Sequence, residues 1–232
     1  MFYKYDIHVH CKDGSPCARN DTARDMARAY ANGGYAGFVL TDHFYKSHIM
    51  ADGSYKNGVM KNYNAYLEAK DEGEKCGIKV LFGIEFRYNG DDFLTYGIDL
   101  DFLLKNEDIF DIDFAEYSRR VHEAGGIIIQ AHPFRNGNRP IVIQVPYVDA
   151  IEIFNASHSD TDSHYPAYYN DLAELLAKKM GIIGTAGSDT HDVRKSDNTP
   201  YRKGSMLFNE EVRDEKHLIE LIKKNEFSIY KY

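Results

Sequence analysis

The chain predicts an α/β fold, and three observations carry that prediction. Short, continuous, often β-branched apolar runs recur along it. Longer segments of helical character lie between most of them, some opened by an acidic residue and most closed by glycine. The runs also end, again and again, in histidine and carboxylate residues.

Strands are expected over residues 5–10, 37–41, 79–84, 93–98, 127–130, 150–154, 182–186 and 205–208. Helices are expected over 22–32, 59–75, 114–124, 168–180 and 215–224. The first strand reads Tyr5-Asp6-Ile7-His8-Val9-His10, alternating by residue type. Asp21 is placed to cap the first helix, which Gly33-Gly34 ends. Gly77 stops the second helix, and Asp113 and Gly125-Gly126 bound the third. Gly181 closes the fourth, and the fifth ends the ordered pattern. Continuous apolar strands suit burial on both faces, and their alternation with helices implies parallel β/α units wound right-handed. No Pro/Gly-rich linker divides the sequence, so residues 1–232 are expected to form a single domain. The loops over 44–58, 135–147 and 155–166 are long for such connections, and ligand contacts concentrate in loops of that kind.

The 232 residues carry a formal charge of −8, with 43% hydrophobic and 28% charged residues. That balance is expected to exclude long nucleic acid, which binds through a positive surface, but not a small phosphorylated substrate. No apolar stretch is long enough to span a membrane, and no basic segment followed by an apolar run opens the chain. Cys11, Cys17 and Cys76 are odd in number and irregularly spaced, which argues against a disulfide framework and for a cytoplasmic setting.

Chemistry concentrates at the strand ends. His8 and His10 are two apart, so a strand turns them to one face. Asp189 and His191 share that spacing at the end of another predicted strand. His43, Glu85 and His132 each follow an apolar run. Histidine and carboxylate bind divalent cations that polarise oxygen or activate water. Seven such donors exceed one four-coordinate ion, so two or three divalent ions, with Glu85 able to bridge, are expected. Asp6 and Asp42 are read as groups that orient their neighbours. His122 and His217 fall inside helices and are read as surface or satisfied core residues. His48, His158 and His164 lie in long loops near possible substrate. Arg135 follows His132 by three residues and is the candidate substrate-binding group, since a guanidinium fork matches phosphate.

These motifs resemble the PHP (polymerase and histidinol phosphatase) domain family. They occur in its order: Asp6-Ile7-His8-Val9-His10, Thr41-Asp42-His43, Gly83-Ile84-Glu85, Ala131-His132-Pro133 and Gly187-Ser188-Asp189-Thr190-His191. The resemblance implies a distorted (β/α)7 barrel with two or three divalent ions (zinc, manganese or iron) at the strand C-termini. It assigns His8, His10, Glu85 and Asp189 to one ion, Glu85 and His132 to a second, and His43 and His191 to a third. Many family members carry a further His or Asp ligand where Ser15 and Pro16 stand here. Asp13 and Cys17 are the neighbours with ligand chemistry.

The resulting expectation is a metal-dependent phosphoesterase acting on a small phosphorylated metabolite or short nucleotide through metal-activated hydroxide. His191 or His43 would protonate the leaving group. The alternatives are hydrolysis of an amide or lactone, and a metal-binding regulatory module without catalysis.

Overall fold

Strand β1 (Tyr3–Val9) begins a sheet whose central members follow the order of the apolar runs. The structure, a computed structural model, describes residues 2–136, 142–158 and 165–231. After β1 come α1 (Ala23–Asn32), β2 (Gly37–Leu40), the short β3 (His43–Phe44), α2 (Lys46–Ile49), α3 (Tyr55–Cys76), β4 (Lys79–Tyr88), β5 (Asp91–Tyr96) and α4 (Leu100–Lys105). Then follow α5 (Phe114–Glu123), β6 (Ile127–Gln130), β7 (Ala150–Asn155), α6 (Tyr168–Met180) and β8 (Ile183–Gly187). The chain continues through β9 (Val193–Arg194), β10 (Thr199–Pro200), β11 (Ser205–Phe208), α7 (Glu215–Lys223) and β12 (Phe227–Tyr230).

Strands β1, β2, β4, β5, β6, β7 and β8 pair in that order. The ends of this sheet nearly meet. Val9 and Thr190 form a parallel bridge, and Asp189 N–H donates to the His8 carbonyl at 2.8 Å. The result is the distorted seven-stranded α/β barrel that was expected. The predicted run at 205–208 lies outside the ring: β11 pairs antiparallel with β1, and β12 with β11.

One strand breaks the parallel rule. β5 runs antiparallel to both β4 and β6. Asn89 and Gly90 sit between them at φ 49° and 83°, the left-handed pair that a two-residue hairpin needs. This turn sends the chain straight back, where a β/α unit would have crossed over.

Other boundaries moved for local reasons. Thr22, not Asp21, caps α1, in a reciprocal box with Asp25. Asp21 accepts instead from Val193 N–H at 2.7 Å and pairs with Lys195. Ser54 caps α3, so that helix begins at Tyr55 and not at residue 59. Asp113 caps α5 as expected. Helix α4, capped by Asp99, was not anticipated, and neither was β12, which carries order past residue 224.

Alternate residues on the ring strands enter two separate apolar clusters. Ile7, Val39, Leu81, Leu94, Ile127 and Ile129 pack together with Leu218 and Ile222 of α7. Phe38, Leu40, Val80, Phe82, Phe93 and Ile128 pack instead with α1, α3 and α5. The first set is therefore the barrel interior and the second the layer under the helices.

A bulge decides where the histidines point. Asp6 pairs with Phe38, but Val9 pairs with Leu40, so β1 holds one extra residue there. Asp6 faces outward and accepts from the Tyr30 hydroxyl of α1 at 2.6 Å, and Val9 also joins the outer cluster. The extra residue turns His8 and His10 to the inner side. Among the described residues, no helix is long and apolar enough to cross a membrane.

Candidate metal centre

All seven predicted donors meet at one end of the barrel. Glu85 is the hub. One of its oxygens lies 3.2 Å from His8 Nε2 and 3.1 Å from His132 Nε2. Its other oxygen lies 3.0 Å from His43 Nε2 and 3.8 Å from His10 Nε2. Asp189 Oδ1 is 3.3 Å from His10 Nε2 and 3.7 Å from His8 Nε2. The His191 ring stacks on His10 with centroids 4.3 Å apart, and its Nδ1 lies 3.6 Å from Asp189 Oδ1. His132 and Asp189 both adopt positive φ, 26° and 53°. Such backbone costs about 1–3 kcal/mol in a non-glycine residue and persists where the surroundings enforce it.

Neighbouring groups fix the rings. Glu152 on β7 takes His8 Nδ1 at 2.8 Å, and its other oxygen accepts His132 N–H at 3.0 Å. Ser15 donates its hydroxyl proton to Asp42 at 2.7 Å and accepts His43 N–H at 2.9 Å. With that proton committed, the Ser15 oxygen can only accept from His10 Nδ1, 3.3 Å away, which leaves the His10 Nε2 lone pair free. Asp6 accepts from His8 N–H and Ser188 N–H, and Asp42 from Cys11 N–H. Both aspartates thus tie down the segments that carry the candidate donors, as anticipated.

Fit to cations can be judged from what is left unpaired. His8 Nε2, His10 Nε2 and Asp189 Oδ1 are buried without a hydrogen-bond partner. They lie near one another, but not in hydrogen-bonding geometry. Burying unpaired polar atoms is costly, and a shared divalent cation satisfies all three at once. Mutually close donor sets include His8, His10 and Glu85; His8, His132 and Asp189; His10, His43 and His191; and Glu85, Asp92 and His132. Mixed imidazole and carboxylate sets suit zinc, manganese or iron.

Electrostatics agree with that use. Burial alone would raise Glu85, but His43, His132 and His8 hold it well below the usual carboxylate range. Burial is likewise overcome at Asp189, by Arg135 and then His8. Burial, with His191 and His43 facing it, keeps His10 well below the usual imidazole range and so neutral, the form that binds metal. Burial pushes the Cys17 thiol up, and His191 and His43 bring it down to about 6.

Above the donors opens a cavity of about 280 Å³, lined in part by Tyr45, Arg87, Arg135, His191 and Arg202. Arg135 was expected to face substrate. It does line the mouth, but its Nη2 also pairs with Asp189 Oδ2 and reaches Ser157 Oγ at 2.6 Å. Arg87 is fixed by two bonds to Asp92 and lies over the Tyr45 ring.

Of the other histidines, His122 pairs with Asp149 at 2.9 Å, and His217 accepts from Arg213 N–H. His48 lies in α2, and its ring stands near those of Tyr45 and His43. His158 faces Arg135 Nε at 3.3 Å. His164 lies outside the described residues. Sequence reasoning missed Glu152, Asn155, Asp92 and Tyr45, whose hydroxyl donates to Glu85 at 2.8 Å. One signal existed for Glu152: it is a lone acid inside an apolar strand.

No family model matches the chain, and no curated protein matches it by sequence. Solved structures do match. A two-domain Bacteroides vulgatus protein, described as containing a predicted PHP-like metal-dependent phosphoesterase, superposes with TM-score 0.72 at 16% identity, covering 100% of this chain and 65% of that one. A Bifidobacterium adolescentis protein assigned as a metal-dependent phosphoesterase matches with TM-score 0.53 at 14% identity, covering 94% of this chain and 96% of that one. Endonuclease Q, in complex with a 27-mer duplex substrate that has an abasic lesion at the active site, matches with TM-score 0.62 at 14% identity. That match covers 97% of this chain and 57% of Endonuclease Q. The chain therefore spans less than two thirds of the Bacteroides and Endonuclease Q chains.

The Endonuclease Q complex overturns one expectation, the exclusion of long nucleic acid. Net charge is summed over a whole surface, whereas a phosphate is met locally by cations and arginines, so −8 overall does not decide the matter. Ring closure, strand order and these superpositions together show that the chain has the fold of the PHP-like metal-dependent phosphoesterases.

Proposed function

We propose that this chain is a metal-dependent phosphoric ester hydrolase of the PHP family, with residues 1–232 forming one catalytic domain. One observation carries the reading: the unpaired buried atoms of His8, His10 and Asp189 converge beneath a mouth lined by Arg87, Arg135 and Arg202. Cation ligands would thus sit below groups that match phosphate oxygens.

In this reading His8, His10, Glu85, His132 and Asp189 hold a core of two divalent cations, and His43 and His191 extend it. Bound there, such cations activate water and neutralise phosphoryl oxygens. The protein's own groups do the rest. Glu152 and Ser15 hold the His8 and His10 rings so that Nε2 faces inward. Arg135 fixes Asp189 and presents positive charge to the substrate. His191 and His43 line the mouth and, when free of metal, would be the groups able to give a leaving oxygen its proton. No protein nucleophile is invoked, because Ser188 is buried and its hydroxyl accepts Thr190 N–H at 3.1 Å. The favoured substrate class is a small phosphorylated metabolite or short nucleotide, whose phosphate would enter the cavity beside Arg135.

The test is a parallel panel on metal-loaded protein: an aryl phosphate, phosphate monoesters and diesters, a duplex with an abasic site, and amides. Turnover of phosphate esters that disappears in His8→Ala supports the reading. Turnover of amides alone, or phosphate turnover unchanged in His8→Ala, overturns it.

A further inference from the structure

Cys17 follows the first histidine pair and has no role in the chemistry above. The loop around it offers two candidate ligands, and the structure separates them. Asp13 is committed elsewhere: its Oδ2 accepts Ala23 N–H at 2.8 Å at the start of α1. Cys17 Sγ lies 3.4 Å from His43 Nδ1 and 3.9 Å from His43 Nε2, at the edge of the donor cluster.

A second observation points to a ligand at the same place. His10 Nε2 is fully buried and unpartnered. Its ring lies 4.4 Å from that of His43 and 4.3 Å from that of His191. Donor atoms of His10, His43 and His191 all fall within 4.8 Å of one another. Three imidazoles around one point, with a thiol beside them, form a nitrogen and sulfur set. Glu85 and Asp189 also reach this trio, at 3.0 Å from His43 Nε2 and 3.3 Å from His10 Nε2, so the sulfur is what sets this position apart from the sites around Glu85.

We propose that Cys17 is a direct thiolate ligand to a cation held by His43 and His191, which makes this position of the metal centre soft and selective for zinc-like ions. On binding, the sulfur forms a bond to the cation and the thiol proton leaves to water. Thiolate and imidazole donors favour zinc over manganese, whereas carboxylate sites accept either. The chain would then hold unlike ions in adjoining positions, with both mouth histidines withdrawn from proton transfer. This inference rests on the cation-binding reading of the cluster, and its test separates the two.

The probe is cobalt(II), titrated into the metal-free full chain, with absorption spectra and bound metal measured together. Wild type is expected to show a thiolate-to-cobalt charge-transfer band in the near ultraviolet. Cys17→Ser is expected to lose that band, keep the visible bands of the remaining cobalt, and bind zinc at one equivalent more than about 100-fold more weakly, beyond the cost of losing an outer partner. Iodoacetamide labelling mapped by peptide gives a second readout: zinc should protect Cys17 and leave the exposed Cys76 unchanged. Cobalt bound without the charge-transfer band, or with a band that persists in Cys17→Ser, overturns the thiolate ligand and leaves the cluster reading intact. No cobalt bound at all overturns both.

Discussion

The His8 ring meets Glu152 through Nδ1 at 2.8 Å, and both side chains are fully buried. The contact fixes which nitrogen faces the cluster. An orienting carboxylate of this kind raises ligand basicity, and its loss weakens metal binding about 10–100-fold. Glu152→Gln is therefore expected to lower zinc affinity by about tenfold or more while leaving the fold intact. A chelator-competition titration measures this, and an affinity equal to wild type would refute the role.

Gly187 ends β8 against the same pair. A β-carbon there would stand 2.4 Å from His8 Cβ and 2.9 Å from Glu152 Oε1. Neither neighbour can retreat, because each is pinned by the other. Gly187→Ala is expected to destabilise the protein by about 1–3 kcal/mol, as overpacking does. Urea denaturation reads the loss, and the same variant should bind metal more weakly because His8 shifts.

Arg135 pairs with Asp189 in a site where both are largely shielded from water. Removing one member of a buried pair costs about 3–5 kcal/mol when the other charge is left alone. Arg135→Ala should show a loss near the lower end of that range in the metal-free protein. Cations held by Asp189 would replace the missing partner, so the loss should shrink on metal loading. Denaturation curves with and without zinc test the difference, and an equal loss in both would separate Asp189 from the metal.

Metal removal gives the broadest readout. A ligand at a thousandfold over its dissociation constant stabilises by about 4 kcal/mol. In a chain of this size that is about 10 °C in Tm. Chelation should lower Tm by roughly this amount and zinc or manganese should restore it. A Tm indifferent to chelator would count against cations at the cluster.

The strands were legible because each is a continuous apolar run, and the candidate donors because they terminate such runs in order. The direction of β5 was not read, although Asn89-Gly90 stood in plain view. Two apolar runs without a helix between them resemble a shortened β/α unit until the turn chemistry is weighed. Glu152 and Tyr45 escaped for a different reason. Their value depends on which residue faces them across the barrel, a relation that one-dimensional spacing does not hold. Ser15 is the instructive case. It stands where many family members carry a ligand for a third ion, yet its hydroxyl links Asp42, His43 and His10.

The surplus residue in β1 has a consequence for how this molecule can change over time. Substituting His8 or His10 alters one donor. Straightening the bulge by a one-residue slip, with no letter changed, would instead turn both imidazoles toward the helical layer and scatter the cluster in one step. Register along β1 is therefore as much a part of the candidate centre as the histidines themselves, and it should resist displacement even where neighbouring loops do not.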